Sequence, residues 1–90
     1  MITFEDCLAF CALTEDEVDA IAEHEHLTET VALELGNCLI EGPDGEFRVK
    51  QMIIDDITSA QTRGDFAHAA HLKQTLQRFV EQHPACKAGP

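Results

Sequence analysis

Tryptophan and tyrosine are absent from these 90 residues, and serine occurs once, at Ser59. Ring stacking is therefore left to five Phe and five His. With a single Ser there is no Gly-x-Ser-x-Gly nucleophile turn, and EGPDGEF (41–47) lacks the Lys-Ser/Thr pair that a phosphate-cradling loop requires. The four cysteines (Cys7, Cys11, Cys38, Cys86) form no Cys-x-x-Cys pair, which argues against a finger- or ribbon-type structural zinc. No apolar run approaches the roughly 20 residues that span a bilayer. MITFEDC has neither a basic n-region nor an apolar h-region, so no secretory signal is expected. A bacterial-type cytoplasmic location follows, with reduced thiols in place of disulfides.

Positive charge is missing from half the chain. Residues 1–47 hold 13 acids and no Lys or Arg, whereas residues 48–90 hold all six basic residues and four acids. The halves stand at −13 and +2, for a net charge of −11. Phosphate backbones and anionic lipid surfaces bind through Lys and Arg, so nucleic acid and membrane are disfavoured as partners. A basic protein surface, a second copy of the chain or a cation remains compatible.

The residues that are present describe one helical domain. A 44% hydrophobic and 26% charged composition is that of a globular chain, and 90 residues bury one modest core. Thr3, Thr14 and Thr28 each precede an acidic first turn, and Thr14-Glu15-Asp16-Glu17 is a capping box. These signals predict helices at about 4–12, 15–25 and 29–41. The turn cluster EGPDG (41–45) then introduces a longer helix at about 46–63, ended by Gly64 in the left-handed region. Asp65 caps a last helix at about 66–82, which Pro84 stops. No segment alternates as a strand does. The expected fold is all-α, a single compact bundle of about five short helices spanning 1–84, with a flexible tail at 85–90.

Helical spacing assigns the buried faces. Phe4, Cys7, Leu8 and Cys11 share one stripe, so Cys7 and Cys11 read as small core hydrophobes. Cys38 reads the same way, and Cys86 in the tail is the exposed thiol. The helix at 15–25 buries Val18, Ile21 and Ala22. The helix at 29–41 is apolar nearly all round, which places it at the centre of the bundle. The helix at 46–63 presents Val49, Ile53, Ile54, Ile57 and Ala60, and the last presents Ala69, Leu72, Leu76, Phe79 and Val80. Short links make neighbours antiparallel, and the last two helices form an αα-hairpin.

Two resemblances accompany this pattern. RGDFAHAAHLKQTLQRFVEQHP (63–84) resembles the second half of a tetratricopeptide-type hairpin, but no second copy exists, and such arrays need about three repeats. FEDCLAFCALTEDEVDAIAEHEH (4–26) resembles the N-terminus of a family of small all-helical bacterial proteins. That resemblance implies no activity and carries over no functional residue.

The chemistry-bearing stretch is IAEHEH (21–26). Glu23 and His26 stand three apart, the Glu-x-x-His spacing that carboxylate-bridged metal bundles use. His68 and His71 form a comparable pair on the last helix, and Glu34, Asp55 and Asp56 could add carboxylates. Glu23, His26, His68 and His71 are thus the candidate ligands of a zinc or iron ion. Against this, the wheel puts Glu25 near the centre of the buried stripe, turns Glu23 and His24 away from it and aims His71 at solvent. Two ligands also leave a tetrahedral ion half empty. The favoured reading is a solvated helix end with no resident cofactor. No catalytic motif is present, so an enzyme is not expected. Phe47 and Met52 widen the apolar face of the 46–63 helix beyond what a small bundle must cover. With Ile54 they form a candidate interface for a self-associating interaction module.

Overall fold

The computed structural model describes residues 13–42 and 44–84. These form four helices and, among the described residues, no strand: α1 (Glu15–Glu25), α2 (Glu29–Glu41), α3 (Gly45–Thr62) and α4 (Phe66–Gln82). The all-α expectation holds. The fifth helix, expected at 4–12, lies outside the described residues, as do Cys7, Cys11, Cys86 and the tail.

Local chemistry explains each boundary. In the capping box, the Thr14 amide donates to Glu17 Oε1 at 2.8 Å and the Glu17 amide to Thr14 Oγ1 at 3.3 Å. His26 ends α1 in the left-handed region (φ 57°), with its amide and that of Leu27 both donating to the Ala22 carbonyl. Thr28 then caps α2 by accepting from the Val31 amide, and Asp65 caps α4 by accepting from the His68 amide. Gly64 takes φ 79° in the three-residue turn between α3 and α4, where glycine avoids the Cβ penalty.

The core gathers Val18 and Ile21 from α1, Ala32 and Leu33 from α2, Val49, Ile53, Ile57 and Ala60 from α3, and Ala69, Leu72 and Phe79 from α4. The most extensive packing joins α3 to α4, the expected hairpin. Both α1 and α3 pack against all three other helices, whereas α2 and α4 do not form an extended contact. The placement of the 29–41 helix at the centre is therefore corrected. It buries only Ala32, Leu33 and Gly36, while Val31 is 46% exposed and Cys38 is exposed. The central role falls to α3 because it is the longest helix and carries its buried stripe over several turns.

Two glycines record close approaches. Beside Gly36 the side chains of Leu13 and Ile21 occupy the space a Cβ would need. At Gly45, which opens α3 without a side-chain cap bond, the obstruction is the backbone carbonyl of Leu39. A side chain can swing aside, but a helical carbonyl cannot. Gly45→Ala should therefore cost about 1–3 kcal/mol, the usual range for overpacking, and more than Gly36→Ala in a paired urea titration.

Cys38 is a second correction, since it is a free thiol at the surface rather than a core residue. Its side of α2 faces a shallow hollow of about 230 Å³ shared with Leu39, Gly45 and Arg48. A thiol reagent should label Cys38 in the native protein within the time needed to label the unfolded chain, as read by peptide mass mapping.

Candidate functional site: an acid–imidazole cluster at the α1–α3–α4 seam

Where the C-terminal half of α1 lies against α3 and α4, carboxylates and imidazoles meet. Glu23 on α1 accepts a hydrogen bond from His68 Nε2 on α4 at 2.6 Å, linking the last turn of one helix to the first turn of the other. His24 bridges α1 to α3: its Nδ1 lies 2.6 Å from Glu25 Oε2 and its Nε2 lies 3.1 Å from Asp55 Oδ2. A neutral imidazole has one N–H, so donating to both carboxylates requires the imidazolium. Burial opposes that charge, but the hydrogen bonds to Glu25 and Asp55 and the nearby Asp56 outweigh it, and the His24 pKa is raised above 6.5.

Asp56 is the unusual member. It is 4% exposed, and its Oδ2 is enclosed without a hydrogen-bond partner. Glu23 Oε2 is likewise enclosed and unpartnered. Burial above all, then the charge of Glu23, pushes the Asp56 carboxyl up to about 7, with His24 and His68 opposing the rise and Asp55 adding to it. Asp56 thus titrates near neutrality, between three helices. It lines a cleft of about 280 Å³ together with Glu23, His24, His26, Asp55 and, at and just past the end of α3, Ser59 and Arg63. Arg63, the C-cap of α3, donates from Nη1 to Ser59 Oγ at 2.9 Å, four residues back in the chain.

The four residues singled out as metal ligands are not brought together. Glu23 and His68 meet, and His26, exposed in the cap that ends α1, lines the same cleft as Glu23, but His71 lies instead near Asp16 at 3.5 Å. Among the described residues no three His, Cys, Asp or Glu groups are placed to hold one metal ion. The helical wheel also misjudged the end of α1. Glu25 is exposed, while Glu23 and His24 are half-buried. The buried set is Glu17, Val18, Ala20 and Ile21, which shifts the stripe's centre away from Glu25 and toward His24. The last turn of α1 then leans on α3 and α4 through its polar residues.

Sequence reasoning named Asp56 only as a spare carboxylate and missed its burial. The signal was present, because Val49, Ile53, Asp56 and Ala60 are spaced 4, 3 and 4 apart and share one helix face. A second buried acid, Glu17, is 0% exposed and has Oε2 unpartnered. Its pKa is raised by burial, against the hydrogen bonds from Thr14 and the influence of His83. His83, itself buried, stacks on Phe79 at 4.4 Å between ring centroids. The interface candidates Phe47, Met52 and Ile54 are half-buried, and Met52 packs against the core. Among the described residues the most exposed large apolar side chain is instead Phe66, at 70%. No described helix is long and apolar enough to cross a membrane.

No protein-family model matches this chain, and neither the curated proteins nor the solved structures contain a significant match to it.

Proposed function

We propose that this chain is a small acidic helical module of the cytoplasm that acts by surface contact, pairing with a second copy of itself or with a basic protein surface. The observation that carries this reading is the segregation of charge: 13 acids without a Lys or Arg in residues 1–47, and all six basic residues after them. Opposite signs on the two halves suit antiparallel pairing of two copies, because each acidic half then meets a basic one. Exposed Phe66 and Val31 add apolar area that contact would cover. The chain has no catalytic motif, and its buried carboxylates are enclosed in the packing of the helices, which favours binding over turnover.

The test is charge reversal at two exposed basic positions of α4, Lys73→Glu with Arg78→Glu. Native mass spectrometry should show a smaller dimer fraction for the double variant than for the wild type at equal concentration. An unchanged fraction removes the pairing of opposite halves from the proposal. Elemental analysis of the same samples addresses the metal-binding alternative, which predicts zinc or iron in stoichiometric amount after dialysis.

A further inference from the structure

We propose that the last turn of α1 is a proton-operated latch: it docks on α3 and α4 while His24 is charged and Asp56 keeps its proton, and lets go as those protons are lost. The latch does not depend on self-association.

The bonds that dock this turn are polar. His24 reaches Glu25 through Nδ1 at 2.6 Å and Asp55 on α3 through Nε2 at 3.1 Å, and Glu23 meets His68 on α4 at 2.6 Å. A neutral imidazole ring can donate to only one of the two carboxylates around His24, so the complete bridge exists only in the imidazolium. Behind it, Asp56 Oδ2 and Glu23 Oε2 are enclosed and have no donor. A carboxyl proton relieves that pair, whereas two bare carboxylates closed in together lose their hydration without a partner. Apolar packing adds little here. Val18, Ala20 and Ile21, the buried apolar residues of α1, all precede the turn, and Glu23-His24-Glu25-His26 contains no apolar side chain. Leu27, just beyond, packs against the core and bounds the part that moves.

Facing Asp56 are Glu23 and His24 from α1, Asp55 from its own helix and His68 from α4, with His26 and Arg63 also lining the cleft. Among the described residues no group of α2 lines it. Burial, then the charge of Glu23, holds the docked Asp56 carboxyl at about 7 in place of an ordinary 3.8. His24, despite burial, is raised above 6.5 by its bonds to Glu25 and Asp55. Both shifts have one sign: the docked turn binds protons that the free turn gives up. Through Asp56, docking should weaken by up to about tenfold per pH unit between about 3.8 and about 7, and the loss of the His24 proton extends the decline above 6.5.

Amide hydrogen exchange of the full ¹⁵N-labelled chain tests the latch, read as protection factors, which divide out the pH dependence of exchange itself. Protection at the amides of 24–26 should be at least about tenfold lower at pH 8 than at pH 5. Low, non-denaturing urea should leave it unchanged, as a local opening requires, while the amides of 72–79 respond to urea as global unfolding does. Asp56→Asn should retain most of the pH 5 protection at pH 8. His24→Ala should lose protection several-fold at pH 5, although alanine by itself favours the helix. If Asp56→Asn fails to fold by circular dichroism, His24→Ala carries the test. Protection at 24–26 that is flat with pH overturns the latch. So does a loss as sensitive to urea as that of 72–79, or a His24→Ala variant protected like the wild type at pH 5.

Discussion

Asp56→Asn should make the protein more stable at pH 8 and flatten its loss of stability between about pH 4 and pH 7. The wild-type carboxyl has an ordinary value of 3.8 in the unfolded chain and about 7 in the fold. Across that interval the folded state holds a proton that the unfolded state has released, so stability declines as the pH rises. The contribution is fully present below about 3.8 and gone above about 7. At 1.36 kcal/mol per unit the shift corresponds to on the order of 4 kcal/mol, a large fraction of the stability of a small domain. Asn keeps the shape without the charge and should recover much of this at pH 8. The raised values of His24, Glu17 and Asp19 work in the same sense, so the wild type should be more stable at pH 5 than at pH 8. Urea midpoints at those two pH values, for both proteins, decide the matter. A wild type that gains stability between pH 5 and 8 would mean that Asp56 is ionised and satisfied in the fold.

Phe79→Ala should cost about 3–5 kcal/mol, the range for removing a fully buried ring. Among the described residues Phe79 is the largest side chain with no exposure, and it also supports the His83 ring at the end of α4. His83 Nδ1 lies 3.1 Å from the Phe79 carbonyl, so loss of the ring removes packing around a buried hydrogen bond as well as apolar area. Thermal and urea unfolding should both show the loss, and Phe79→Leu should recover part of it. A change below about 1 kcal/mol would show that the α4 end is not part of the cooperative core.

The helix boundaries were legible because they are local. Thr14, Thr28 and Asp65 each satisfy a free amide within three residues, and the expected 15–25, 29–41 and 66–82 coincide with α1, α2 and α4. The 46–63 helix runs 45–62 because Gly45 enters it, squeezed against the Leu39 carbonyl, which is a contact between separate elements. What failed was also tertiary. The apolar circumference of 29–41 suggested a surrounded helix, but nothing in a wheel says how many neighbours exist to surround it, and Cys38 ended at the surface. A solvated helix end is the reading the His-rich stretch suggests by itself, yet His24 and Glu23 reach across to Asp55 and His68, 31 and 45 residues away in the chain. Pairings at that separation leave no periodic trace. Asp56 left one, in its register with Val49 and Ile53, but a carboxylate on an apolar stripe only becomes informative when the fold shows which oxygen lacks a donor.

The proposed role rests on contact between halves of opposite charge, and its most direct measurement is sedimentation velocity of the wild-type chain over a series of protein concentrations at low and high salt. The account predicts a concentration-dependent dimer at low salt that dissociates as salt screens the acidic and basic halves from each other. A species that stays monomeric at every concentration, or a dimer indifferent to salt, would contradict it.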